Sequence, residues 1–335
     1  MTKKDSLTIK GIAILMMLFL HLFNQMGNVD LCTTFISIHG VPLVNLLTRA
    51  ANPVPFFLIL SGYGLYVSYS SGVTKSPGRR ALKLFIHYWI TLAIFIPIGA
   101  FVCGTNVYPG SFLKLIENIT GWYTSYNQEV WFLFPYCLLV FVSPFVFRLS
   151  NRFHWAIVFL FSGFLYFGTY VVIHFYGHFL WTRMHFYMPL LFLNCQFSFV
   201  VGMLLAKWVD FILVKESANR KSAFLPWLLL LIVVIVRLCL KVDIFNPLYA
   251  ALFIVLFASA THSVIGQKAL VKLGQRSTTM WFVHTYFCYY MFHDFIYSFR
   301  YPLVIYLVLI CISYLVAVIV DSIRDLLFIR LGLNK

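Results

Sequence analysis

Apolar runs of about twenty residues, separated by short polar stretches, follow one another along this chain from end to end. The first, Lys10 to Phe23, reads KGIAILMMLFLHLF, with twelve of its fourteen positions apolar or glycine. Such a run suits a helix in lipid. The whole pattern predicts ten spans, at 9–27, 42–69, 83–103, 129–147, 154–174, 186–206, 223–240, 246–265, 273–293 and 302–323. Connections between them are short, so a separate soluble domain is not expected. The reading is an all-α polytopic integral membrane protein of about ten transmembrane helices, with residues 1–335 as a single transmembrane domain.

Composition agrees: 61% of residues are hydrophobic and 10% charged, with a mean hydropathy of +0.88. The first run is long and lacks a small-residue cleavage site, so it is expected to remain as a span. Seven cysteines are scattered, mostly within spans, and none forms a CxxC pair. Neither a disulfide framework nor a zinc site is suggested.

The net charge of +15 would fit a nucleic-acid partner, but its distribution points elsewhere. With the N-terminus in the cytoplasm, nineteen Lys and Arg fall on that side: Lys3, Lys4, Lys10, Lys75, Arg79, Arg80, Lys83, Arg148, Arg152, Lys207, Lys215, Arg220, Lys221, Lys268, Lys272, Arg276, Arg324, Arg330 and Lys335. Six remain at or near the outer ends: Arg49, Lys114, Arg183, Arg237, Lys241 and Arg300. That asymmetry obeys the positive-inside rule and places both termini in the cytoplasm. The basic excess is a topology signal, with no nucleic acid implied.

Irregular stretches mark possible sites. The second span carries Pro42, Pro53 and Pro55 before SGYG at Ser61–Gly64. A helix broken this way needs protein or a water-filled cavity to receive its freed backbone groups. The connection 104–128 is the longest and has room for a short interfacial helix. An outer loop at 174–185 is expected to hold His174, His178 and His185. No carboxylate accompanies them, so solvated loop histidines are the simpler reading than a metal site.

Polar groups within or at the ends of spans are His21, Arg49, Ser61, His87, Glu129, Trp131 and His284. An ionisable group inside a span is costly and is by default a candidate functional residue. Each also has a plain alternative. A buried histidine can bond a neighbouring helix, Ser61 beside Gly62 can serve close helix packing, and Glu129 can cap a helix N-terminus. Ser61 lies outside a GxSxG setting, so no nucleophile elbow is indicated. Lys10 and His21 share one helix, eleven residues or about 16 Å apart along its axis, and point to nearly the same side.

Four stretches resemble the membrane acyltransferase 3 family. KGIAILMMLFLH (Lys10–His21) is similar to the family's basic residue, ten residues, then His. VPFFLILSGYGLY (Val54–Tyr66) is similar to its Pro-Phe-Phe stretch followed by Ser-Gly-Tyr. RRALK (Arg79–Lys83) stands in place of its cytoplasmic Arg-x-x-Arg, with WFL (Trp131–Leu133) later. LGQRSTTMWFVH (Leu273–His284) is similar to its late Gly-x-x-Ser segment ending in His. Two positions depart from the pattern, Lys10 and Lys83 standing where the family has Arg. Lysine keeps the charge and loses the bidentate fork, so phosphate can still be bound as by a point charge.

The resemblance implies acyl transfer from acetyl-CoA, or another acyl-CoA, to a hydroxyl of an extracytoplasmic or lipid-linked glycan, in the cytoplasmic membrane of a bacterium. It implies His21 as general base, and Lys10, Arg79, Arg80 and Lys83 as the donor's phosphate site. Arg49, Glu129, Trp131 and His284 are candidates to bind the acceptor. A thioester donor needs a base and a cradle and no metal. The appended extracytoplasmic SGNH domain of some relatives is not expected here. Direct transfer is the simplest route, with an acetyl-His intermediate left open. A carrier or flippase for a lipid-linked glycan is the competing reading, favoured by Arg49 and Glu129 near the outer face but with no use for a basic cluster matched to a deep histidine. A polysaccharide polymerase or membrane glycosyltransferase would want paired intramembrane carboxylates or a DxD-like motif, and neither is seen.

Overall fold

A computed structural model describes residues 1–73, 76–217, 224–260 and 266–333, without the side chains of 209–217. Lys75, Arg220, Lys221 and Lys335 from the charge count lie outside the described residues, as does the Lys215 side chain. The helices in order are α1 (Lys3–Phe23), α2 (Met26–Val29), α3 (Leu43–Leu47), α4 (Val54–Ser70), α5 (Pro77–Cys103), α6 (Phe112–Thr120) and α7 (Leu133–Ser150). They continue with α8 (Trp155–Trp181), α9 (Met184–Ser217), α10 (Phe224–Cys239), α11 (Asn246–Ala260), α12 (Gln267–Thr285), α13 (His293–Tyr297) and α14 (Pro302–Arg330). One two-stranded hairpin pairs Ser37–Ile38 with Val41–Pro42. Its two-residue turn has positive φ at His39 and Gly40 (49° and 78°), the backbone that suits such hairpins.

Among the described residues, eight helical segments are long and apolar enough to cross a membrane. The chain is an all-α, multi-pass membrane protein. The expected break in the second span is present: α3, a 3₁₀ turn at Thr48–Ala50 and α4 follow one another, with Pro53 just before α4 and Pro55 in its first turn. A proline there forfeits an N–H that a helix start leaves unpaired anyway. The connection 104–128 does contain a helix, α6. Ser111 Oγ caps it by accepting from Lys114 N at 3.2 Å, and Gly121 ends it at φ 69°.

The histidine loop expected at 174–185 is different. Helix α8 runs on to Trp181 and α9 starts at Met184, so His174 and His178 ride on α8 and His185 opens α9. The aromatic run through Trp181 has Gly177 as its one weak helix former, and one glycine does not end a helix of that length.

The chain divides into two compact units. The first holds Met1–Ala13, Asn52–Pro77 and Pro135–Val271. Here α4 packs on α9 through glycines facing backbone: a Cβ on Gly62 would meet Phe199 O, and one on Gly202 would meet Ile59 O. Small residues allow such close approach between helices in lipid. Helix α8 binds α9 by two bonds, Ser162 Oγ to Gln196 Oε1 at 2.6 Å and Gln196 Nε2 to Ser162 O at 2.9 Å. Much of the rest of α8 is exposed phenylalanine, a surface suited to lipid. Arg237 is buried and satisfied by Asn246 Oδ1, Asp243 Oδ1 and Leu240 O at 2.6–2.8 Å.

The second unit holds Ile14–Ala51, Gly78–Phe134 and Lys272–Lys335. Its core is aromatic: Tyr286 stacks on Phe95 at 4.2 Å and Trp281 on Phe132 at 3.9 Å. Gly99 of α5 lies against the Tyr108 ring and Met291 Cε, each 2.6 Å from where a Cβ would stand.

Candidate active site

The site is built in the second unit, where α12 widens into a π-helix at Tyr286–Tyr290. A π turn pushes out one extra residue per turn and is frequent at functional sites. Here it presents Tyr289 and Tyr290 next to the buried end of α12. The end of α1 is fixed to the same unit. Tyr306 donates to Leu15 O at 2.9 Å, Tyr297 to Leu22 O at 2.8 Å, and Asn45 to Phe23 O at 2.8 Å.

Those bonds set His21 beside His284, with ring centroids 5.1 Å apart. The two histidines differ in setting. His21 is partly exposed, and His284 is fully buried at 0%. His284 Nδ1 lies 3.0 Å from Met280 O and 2.9 Å from Trp281 O. Carbonyls only accept, so Nδ1 carries the proton and Nε2 is left as a lone pair. That Nε2 is buried with no hydrogen-bond partner. An orphaned buried acceptor costs about 1–3 kcal/mol.

His21 has its own second contact. Its Nδ1 is 3.5 Å from Tyr289 OH, whose hydroxyl donates to Asn24 Oδ1 at 3.3 Å. A phenol has one proton, so with that proton on Asn24 the tyrosine oxygen accepts from His21 Nδ1–H. His21 Nε2 is then the basic nitrogen. A base oriented by a third group in this way is the common arrangement for proton abstraction from a hydroxyl.

The segment 127–132 is tied to the same end of α12. Asn127 Nδ2 donates to Phe282 O at 2.9 Å, and Thr285 donates to Asn127 Oδ1 at 2.8 Å. Tyr290 OH donates to Glu129 Oε2 at 2.7 Å, and Trp281 Nε1 to Glu129 O at 3.0 Å. Trp131 lies against Phe132, which stacks on Trp281. So Glu129, Trp131 and His284, predicted to bind an acceptor, belong to one connected network. Arg49 sits on the 3₁₀ turn Thr48–Ala50, partly buried. Beyond this network, in the connection before it, the Lys114 ammonium lies over the rings of Tyr126 and Tyr108 at 5.1 and 5.7 Å, and burial holds it below the ordinary lysine range.

The predicted donor cations fall in both units. Lys10 belongs to the first, and Arg79, Arg80 and Lys83 open α5 in the second, all partly exposed. Arg79 Nη2 donates to Gly332 O at 2.8 Å, and Lys83 Nζ stands 5.9 Å from the Phe328 ring centroid. Ser61, in the first unit, lies 3.4 Å from Tyr136 OH.

A family model described as an acyltransferase domain matches residues 8–321. The chain belongs to the acyltransferase 3 family. No curated protein and no solved structure matches it. Membership makes the protein a transferase that moves acyl groups. Lys10, His21, the α5 cations, Glu129, Trp131 and His284 all fall within the matched range of the acyltransferase domain.

Sequence reasoning missed several polar residues of this acyltransferase. Tyr289, Asn24, Asn127 and Thr285 carried no signal beyond residue type. Asp321 did carry one, being a carboxylate inside an apolar helix. It is buried and bonded to Arg276 Nη1 at 2.8 Å, Arg324 Nη1 at 2.5 Å and Thr279 Oγ1 at 2.5 Å. His87, one of the polar groups singled out in the spans, is buried there with Nε2 2.9 Å from Thr279 Oγ1.

Proposed function

We propose that this acyltransferase 3 member moves an acetyl group from acetyl-CoA to a hydroxyl of an extracytoplasmic or lipid-linked glycan. His21 is the general base. The observation that supports this best is the arrangement of His21: a partly exposed imidazole whose Nδ1 is held by Tyr289 and whose ring lies against a buried second histidine. A carrier has no need of an oriented basic nitrogen.

The step balances without a metal. His21 Nε2 takes the acceptor hydroxyl proton as the oxygen attacks the thioester carbonyl. The C–S bond breaks, the ester C–O bond forms, and the imidazolium returns the proton to the leaving thiolate. Oriented general-base catalysis contributes about 10²–10⁴ in rate. Arg79, Arg80 and Lys83 supply positive charge for the phosphates of the donor, at the N-terminal end of α5. Glu129, held by Tyr290, and Trp131 are suited to a saccharide, a carboxylate accepting its hydroxyls and an aromatic ring covering its apolar face.

The test mixes purified protein with radiolabelled acetyl-CoA and membrane lipids and follows label into a glycan or lipid fraction. Label should appear with wild type and be lost with His21→Ala, whose insertion and folding are retained. Full turnover by well-expressed His21→Ala would remove the assignment.

A further inference from the structure

His284 Nε2 is an unexplained atom of the site, beside the other histidine. The proton of His284 is committed to Nδ1 by two backbone carbonyls, so Nε2 can only accept. It is buried and has no donor. An imidazole whose only purpose was to fill space could be replaced by an apolar ring with no orphaned nitrogen. The lone pair is therefore open to a donor that reaches it in the working cycle.

Burial limits what that can be. The residue is 0% exposed, so substrate does not meet it in this arrangement. Its neighbour does. The His21 ring is 5.1 Å away, centroid to centroid, and is itself partly exposed. The N–H on His21 Nδ1 is weakly held, its contact with Tyr289 OH being 3.5 Å, at the long end for a hydrogen bond.

We infer that His284 is a positioning residue for His21, receiving the Nδ1–H of the His21 imidazolium on its Nε2 during acyl transfer. As the acceptor proton arrives on His21 Nε2, the ring becomes cationic and both its N–H groups seek acceptors. The Nδ1–H, long on the tyrosine oxygen at 3.5 Å, is then shared between that oxygen and the waiting lone pair. The cation is thus steadied by a neutral base and the Nε2 proton stays aimed at the leaving thiolate. No proton is gained or lost by His284, and the overall reaction balances as before. This rests on His21 being the base, as proposed above.

The experiment compares kcat and KM of wild type with His284→Leu, His284→Phe and His284→Gln, using acetyl-CoA and the labelled acceptor fraction, each variant checked by thermal unfolding in detergent. The leucine and phenylalanine variants should lose kcat by about 10²-fold while both KM values stay within about twofold. If leucine does not fold stably, phenylalanine carries the same comparison. Glutamine, whose side-chain oxygen accepts a hydrogen bond, should recover at least about tenfold over leucine or phenylalanine. Wild-type kcat in the apolar variants, a loss confined to KM, or no recovery with glutamine would overturn the role. His21→Ala separates the two readings. Active His21→Ala removes the base assignment, whereas inactive His21→Ala alongside fully active His284→Phe removes the positioning role alone.

Discussion

Asp321 and Arg276 lie 45 positions apart and meet at 2.8 Å, the carboxylate buried and the guanidinium partly exposed. The same carboxylate accepts from Arg324 and from Thr279. Thr279 has one hydroxyl proton and gives it to Asp321, so His87 Nε2 at 2.9 Å must be the donor to Thr279. Three helices, α5, α12 and α14, are fastened by this one group. Removing one partner of a buried ionic group is costly because the others are stranded. Asp321→Leu should therefore destabilise the fold by about 3–5 kcal/mol, seen as a lower unfolding temperature in detergent. A wild-type transition would show that the cluster is not holding the helices.

The first unit offers an independent test of packing. A methyl group at Gly202 would collide with Ile59 O, which is backbone and cannot swing aside. Gly202→Ala should cost about 1–3 kcal/mol, the usual cost of overpacking. Gly168→Ala is the control, since nothing lies near its Cβ position. Equal melting of the two variants would contradict the close contact of α4 and α9.

Tyr289 reports on the orientation of His21. Tyr289→Phe keeps the ring and removes the hydroxyl that His21 Nδ1 touches. A neutral hydrogen bond is worth about 0.5–1.5 kcal/mol, so kcat should fall about two- to tenfold with both KM values unchanged. A change in KM for acceptor instead would place Tyr289 on the substrate.

The gross fold was legible because lipid demands long apolar helices, and that demand is written in composition. Pro53 and Pro55 announced the break before α4, and Gly62 its close packing. The loop expected at 174–185 failed because aromatic residues continue a helix as readily as they border one. The histidine pair was half legible: each residue stood out as an ionisable group in a span, but their adjacency is set by distant bonds such as Tyr297 to Leu22 O. Tyr289 was invisible, since only the π turn brings it to His21. Asp321 could have been noticed by the reasoning that singled out His21. Arg276 was absorbed into the charge count, which has no means of separating a topological cation from a paired one.

Orientation in the membrane is tested by labelling. Single cysteines placed at Ser76, just before α5, and at Phe112, exposed on α6, should react with impermeant reagents from opposite sides in a background lacking the seven native cysteines. Ser76 should label from the cytoplasm and Phe112 from outside, as the positive-inside count requires. Labelling of both from one side would break the arrangement of donor inside and acceptor outside.

Arg80 decides whether the cations of α5 bind the donor or only obey topology. Arg80 and Lys83 are three residues apart on one helix and share a face. Arg79 is engaged with Gly332 O, so its loss would mix a structural effect with any effect on binding. Arg80→Gln removes charge while retaining length and polarity. If the cluster holds the phosphates of coenzyme A, the lost charge-assisted hydrogen bonds, about 1.5–3 kcal/mol, should raise KM for acetyl-CoA by roughly tenfold to a hundredfold. KM for the acceptor should stay put. On the topology-only reading the variant behaves as wild type, because one charge among nineteen on that side hardly alters orientation. Lys83→Gln repeats the measurement on the same face, and unchanged acetyl-CoA dependence in both variants would take the donor site away from α5.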